Sequence, residues 1–454
     1  MNQFWCEYAW LGGDTATPGV LLGVDGDRIV SVDIDQPCPS SAVRLDGLTV
    51  PGLVNAHSHA FHRALRGHTQ LGVGSFWTWR EQMYAAAERL DPDSYHRLAR
   101  AVFGEMVLAG ITTVAEFHYL HHAPGGVRYS DANAMGEAIV AAASDAGIRL
   151  TLLDTCYLQG GIDRRGNIVP LTPLQERFSD GDVDAWVRRA DALSSFSGAT
   201  TRIGAAVHSV RAVGPADIVV VAEWAGAQSA PLHAHVSEQP AENEQCIAAH
   251  HLTPTGVLAE QGALGERFTA VHATHLSGVD VGLLGDAGCT CCLCPTTERD
   301  LADGIGAARA LRDAGARLAV GSDSHAVIDL FEEARAIELD ERLASLIRGH
   351  HDAPSLLSAA TLGGARSAGW SDAGVLSVGA LADFTTISFG SVRMAGVDAG
   401  SALEMAVFAA SAADVRHVVV GGTQVVRDHA HVSIDVVAEL AAAIAELRQP
   451  RVDR

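Results

Sequence analysis

Apolar residues along this chain follow two rhythms. Short runs of β-branched and other apolar residues lie near 50–57, 111–118, 149–156, 201–208, 231–236, 268–273, 289–294 and 317–322. Unbroken runs of that length suit strands buried on both faces. Between them the period lengthens to that of a helix, as in Asp93 to Ala109, Ala132 to Ala146, Asp182 to Leu193 and Pro215 to Gln228, with Val327 to Ile347 after the last run. Eight strands alternating with helices predict an α/β fold, a (β/α)8 TIM-like barrel, whose strand ends gather on one face. The flanks are patterned differently. Val20 to Val32 reads as a hairpin about an Asp25-Gly26 turn, and Val415 to Val426 repeats that style around Gly421-Gly422.

Composition agrees with a buried core: 48% of the 454 residues are hydrophobic and 19% charged. That length could hold up to three average domains, but a barrel with additions uses most of it in one. No apolar stretch is long enough to span a bilayer, and Met1 to Glu7 lacks the basic start of a signal peptide, so a cytoplasmic protein with no membrane partner is expected. A formal net charge of −22 argues against nucleic acid as a partner, because basic surface supplies most of that affinity. It leaves room for a small anionic ligand held by a few local arginines. Lysine is absent, so all 32 basic residues are arginine. Schiff-base chemistry and a carboxylated lysine bridging two metals are therefore ruled out. Four of the eight cysteines crowd into Cys289 to Cys294, but no second pair completes a zinc site, and they read as small apolar fillers of a buried strand.

Candidate chemistry sits at the ends of the predicted strands. His57 and His59 are two residues apart, so on a strand both rings point the same way and can reach one metal ion. With 21 histidines, one such pair arises easily by chance. Further candidates at later strand ends, His235, His272 and Asp323, change that estimate, because a barrel brings these ends to one face. His233 shares the direction of His235, and spacing alone leaves both open. Glu238, three residues beyond His235, is placed to pass a proton from a water to a leaving nitrogen. Three neutral imidazoles with one carboxylate suit a divalent zinc, or iron or manganese, and leave a position for water. Without lysine, one metal ion is the simpler arrangement.

Together these strand-end residues resemble the metal site of the amidohydrolase superfamily. The resemblance implies His57, His59, His235 and Asp323 as ligands of one divalent metal ion, with Zn2+ the first choice. It selects His235 over His233 and makes Glu238, His272 and Asp323 catalytic, with metal contact the second reading for His272. It also implies that residues 1–49 and 374–454 build a small β-sandwich, closed by a terminal helix, beside a barrel spanning 50–373. A narrower resemblance, to the formimidoylglutamate deiminases, rests on His57-Ser-His-Ala-Phe-His-Arg-Ala64, Ser75-Phe-Trp-Thr-Trp-Arg-Glu-Gln-Met-Tyr84, Ala115-Glu-Phe-His-Tyr-Leu-His-His122, Val207-His-Ser-Val-Arg-Ala-Val213 and His272-Ala-Thr-His275. It implies hydrolysis of a dicarboxylate amidine, N-formimino-L-glutamate, by a homodimer, with Arg80, Tyr119, His208 and Arg211 holding the glutamate part. His62 stands where that family often has glutamine, and is expected to face the amidine. Arg299-Asp300 falls in a loop the motifs do not align. A guanine, cytosine or S-adenosylhomocysteine deaminase would use a similar metal set but would lack paired arginines. A non-catalytic barrel would need an incomplete ligand set.

Overall fold

The computed structural model describes residues 2–70, 74 and 76–448, with Phe76 described in its backbone only. Its eight barrel strands are β1 (Leu53–Ser58), β2 (Ile111–His118), β3 (Arg149–Cys156), β4 (Thr201–Val207), β5 (Leu232–Val236), β6 (Phe268–His272), β7 (Thr290–Leu293) and β8 (Arg317–Val320). Each predicted run is a strand, and neighbours pair in parallel in chain order from β1 to β8. β1, β2, β3, β5, β6 and β7 are buried along their whole length, which is why they read as continuous apolar runs rather than alternating ones.

The seam between β8 and β1 closes only at the carboxyl ends. There Asp323 N donates to His57 O at 3.0 Å and His59 N donates to Asp323 O at 3.3 Å. Gly321 makes the approach possible, since a Cβ at 321 would lie 2.7 Å from His57 Cβ.

Some of the helices start where the sequence supplies a side-chain cap. Asp91 accepts from Ser94 N in a capping box ahead of Pro92–Leu108, and Asp182 accepts from Ala185 N ahead of Val183–Leu193. After β8, Asp329 accepts from Phe331 N and Glu332 N to begin Leu330–Ser345. The terminal helix Val436–Arg448 lies on Pro92–Leu108, where Gly104 leaves room for Val436 and Arg100 pairs with Glu439 at 2.6 Å.

Both ends of the chain build the second sheet. Its eight strands are Asn2–Ala9, Thr17–Asp25, Arg28–Asp33, Val43–Pro51, Phe384–Ile387, Val415–Val420, Thr423–Arg427 and Ala430–His431. Val43–Pro51 is central, pairing with Asn2–Ala9 on one side and Phe384–Ile387 on the other. Phe4 and Phe384 sit opposite Val43 and Pro51, at opposite ends of that strand, yet their rings are 5.1 Å apart. Only a sheet rolled strongly on itself allows this contact. It encloses a core of Phe4, Val20, Leu22, Leu45, Phe384 and Val419. The first hairpin turns at Gly26-Asp27, one residue later than predicted, because Asp25 pairs with Arg28. The second turns at Gly421-Gly422 as predicted, with φ +55° and +72°, the left-handed conformation such a tight turn requires.

Candidate active site

At the carboxyl end of the barrel His57, His59, His235 and Asp323 converge. Asp323 Oδ1 lies 3.3 Å from His57 Nε2 and 3.4 Å from His59 Nε2, while His235 Nε2 is 3.2 Å from His57 Nε2. His233, by contrast, donates from Nε2 to Ser367 O, 2.9 Å away, and takes no part in this cluster. Burial, followed by the neighbouring imidazoles, holds His59 and His235 well below the usual histidine value, so both are neutral. Their Nδ1–H groups are committed, that of His59 to Phe117 O at 2.9 Å and that of His235 to His208 O at 2.8 Å. Each Nε2 therefore presents a lone pair to the centre, beside a carboxylate. Burial opposes charge on Asp323, yet its contacts with His57, then His272 and His59, hold it well below the carboxylate range.

Such a surplus of inward acceptors fits a cation. The ligand atoms of His57, His59 and His235 lie within 4.8 Å of one another, as do those of His57, His272 and Asp323. Imidazoles fixed through Nδ1 by backbone carbonyls are the usual support for a metal ligand.

His272 occupies the opposite wall, with Nε2 3.9 Å from Asp323 Oδ2 and 3.7 Å from Glu238 Oε1. Burial works against a charge on His272, but Glu238, Glu298 and Asp323 outweigh it and hold the ring well above the usual histidine value. Burial pushes Glu238 up to about 7 in spite of His272 and Arg211. His272 and Asp323 both have left-handed backbone, φ +66° and +40°. Strain of this kind is concentrated at functional sites and aims side chains that a regular strand would not.

A cavity opens at the cluster, with His59, His235, His272 and Asp323 in its wall. His62, Arg80, Tyr119, His208 and Arg211 all line it. His62 Nε2 lies 2.9 Å from the Tyr119 hydroxyl. Arg80 stacks over Trp77 and Tyr84, its guanidinium carbon 4.6 Å and 5.6 Å from the ring centroids. The Arg211 guanidinium makes no hydrogen bond among the described residues and has one loose ion pair, 3.7 Å to Glu242. His208 is held well below the usual histidine value by burial and then by Arg211, so it is neutral. Of the Ser75–Tyr84 stretch, Ser75 lies outside the described residues.

Other residues fall elsewhere. Arg299 pairs with Glu332 at 3.2 Å, and Asp300 accepts from Gln70 at 2.8 Å, both away from the cavity. All eight cysteines are free, and Cys292 and Cys294 pack with Ala56, Val271 and Ala319 as apolar filler.

Sequence reasoning missed a layer of buried carboxylates. Glu298 Oε1 lies 3.5 Å from His272 Nδ1 and accepts from Cys294 N at 2.9 Å. Asp303 accepts from Gln239 and is pushed up to about 8 by burial and then by Glu238. The one signal for Glu298 was its place in the first turn of a helix directly after a strand end.

Comparison with known proteins agrees with this geometry. The model of the amidohydrolase family matches residues 48–425. The formimidoylglutamate deiminase of Pseudomonas aeruginosa is 37% identical over 442 residues, 95% of this chain and 96% of that protein. The 8-oxoguanine deaminase of the same organism is 30% identical over 416 residues, 89% of this chain and 88% of that one. Among solved structures, an amidohydrolase from Brucella melitensis superposes with a TM-score of 0.90 at 31% identity, covering 98% of this chain and 100% of its own. The chain is therefore a hydrolase and belongs to the amidohydrolase family.

Proposed function

We propose that this enzyme hydrolyses the formimino group of N-formimino-L-glutamate, giving N-formyl-L-glutamate and ammonia. The observation that carries the reading is a pair of arginines, Arg80 and Arg211, lining the same cavity as the histidine and aspartate cluster and Glu238. Guanidinium forks match carboxylates, and a substrate with two carboxylates and an amidine uses both halves of such a cavity. The 37% identity to a formimidoylglutamate deiminase supports the same substrate.

His57, His59, His235 and Asp323 would hold one divalent ion, with zinc the first choice. Such an ion, when bound, lowers the pKa of water to about 7 and supplies a nucleophile at neutral pH. Arg80, Arg211, Tyr119 and His208 bind and orient the glutamate part, with His62 toward the amidine. Asp323 accepts the proton of the attacking water. Glu238 delivers a proton to the departing nitrogen, a task suited to a carboxyl pushed up to about 7. His272 donates from Nε2 to the oxygen joining the formimino carbon. Water adds at that carbon, the C–N bond to the imino nitrogen breaks, and ammonia leaves.

A second reading, a deaminase of a ring amidine such as guanine, draws on the 30% identity to 8-oxoguanine deaminase and on Trp79, Tyr84 and Tyr157 in the cavity wall. The test is ammonia release by zinc-loaded protein from N-formimino-L-glutamate, N-formiminoglycine and guanine. Release confined to the glutamate compound is expected; release from guanine alone would replace the first reading with the second. The proposal includes a place in histidine breakdown and a cytoplasmic homodimer, and sedimentation velocity tests the assembly. Among the described residues no helix is long and apolar enough to cross a membrane.

A further inference from the structure

His59 lies where barrel strands exchange few backbone bonds. β8 meets β1 through one bridge, and the β1–β2 register breaks between Asn55 and Ser58. Side chains take over there. Ser58 Oγ and Ala60 N, which flank His59, both donate to Glu116 on β2, at 2.6 Å to Oε2 and 2.6 Å to Oε1. The next residue on β2, Phe117, supplies the carbonyl that accepts from His59 Nδ1 at 2.9 Å. Glu116 is fully buried, so these bonds are shielded from water.

The donors along this network follow from one backbone group. Ser322 N–H can only donate, so the atom of Asn55 facing it at 3.0 Å is Oδ1. Asn55 Nδ2 then donates to Ser322 Oγ at 2.7 Å. That leaves the Ser322 hydroxyl proton for His325 Nδ1 at 2.9 Å, and His325 Nε2–H for Ser58 Oγ at 3.2 Å. The Ser58 hydroxyl proton goes to Glu116. In this arrangement both Glu116 oxygens accept, and these two donors work against burial, which pushes the carboxyl up to about 8. A carboxamide at 116 would turn an NH2 group toward one of its two donors.

We propose that Glu116 is a positioning residue for the His57-Ser58-His59 pair, its carboxylate clamping both neighbours of His59 and thereby setting the affinity of the site for a divalent ion. Glu116 acts through Ser58 and Ala60. The inference rests on the reading of His57 and His59 as metal ligands.

Zinc affinity of the metal-free protein, measured by competition with a chromophoric chelator, tests it in the parent, Glu116→Gln, Ser58→Ala and His59→Ala. Circular dichroism and urea unfolding of the metal-free forms accompany it. Loss of an outer partner of a metal ligand weakens binding about 10–100-fold, which is the result expected for Glu116→Gln. Ser58→Ala keeps the Ala60 arm, so a loss of about 3–10-fold is expected there. A merely structural Glu116 would lower the unfolding midpoint of the metal-free protein and leave zinc affinity unchanged, and that result overturns the proposal. If Glu116→Gln does not fold, Ser58→Ala, which deletes a single hydroxyl, decides by the same criterion. Parent-like zinc binding by His59→Ala would overturn the ligand reading and the clamp together. A loss in His59→Ala alone would overturn only the clamp.

Discussion

Two acidic side chains and one arginine define the chemistry at the residue scale. Glu238 is the proposed proton carrier, so Glu238→Gln should lower kcat by about 10²–10⁴ with little change in KM, and Asp323→Asn should lower it by orders of magnitude in a protein that still folds. Steady-state ammonia release checks both, and a parent-like rate in either variant would remove that residue from the mechanism. Arg211→Met tests the substrate. Hydrogen bonds to charged groups are worth about 1.5–3 kcal/mol, so KM for N-formimino-L-glutamate should rise about 10–100-fold. An unaltered KM would transfer the carboxylate to another partner. These residues were legible because each stands at a strand end or inside a motif block. Glu298 and Asp303 were not, since beyond the place of Glu298 in the first turn of a helix nothing in their local sequence marks them as neighbours of His272.

At the scale of the element, the carboxyl end of β8 does the most unusual work. Gly321 passes against His57, and a Cβ there would meet His57 Cβ at 2.7 Å and its N and O at 2.8 Å, atoms that cannot rotate away. Gly321→Ala should therefore destabilise the protein by about 3 kcal/mol and push His57 from its place. Urea unfolding measures the first effect, and an unchanged midpoint would mean that the seam yields at little cost. The strands themselves were plain in the sequence, because burial on both faces writes unbroken apolar runs. Left-handed φ at Ser237, His272 and Asp323 was hidden, since these residue types have no local signature for it.

For the whole molecule, the join between barrel and outer sheet rests partly on one ion pair. Arg149 on β3 and Asp383 meet at 2.6 Å with both side chains almost fully buried, and Asp383 Oδ1 also accepts from Gly421 N at 2.6 Å. Asp383→Asn leaves a buried guanidinium without its counter-charge and should cost about 3–5 kcal/mol, read by calorimetry or urea. A loss below about 1 kcal/mol would show that water reaches Arg149. Buried neutral histidines tie stability to pH. Burial lowers His118 to about 3, so below about 6.5 the unfolded chain binds a proton that the native state refuses, and stability falls with falling pH through that window. By pH 5 this one ring costs about 2 kcal/mol. His118→Phe should shrink the change in unfolding free energy between pH 7.5 and pH 5 by that amount, and an equal change in both proteins would show that His118 charges in the native state. The sequence by itself determined the strand and helix alternation, the order of the histidines and Asp323 along the strand ends and the arginines of the motif blocks, because period and residue type govern how a side chain faces relative to its own strand. Only the tertiary structure set His233 against Ser367 and away from the cluster, gathered Glu116, Glu298 and Asp303 around the histidines and Asp323, and rolled the outer sheet on itself. Those outcomes depend on register and stagger between strands far apart in the chain, which local patterns do not encode.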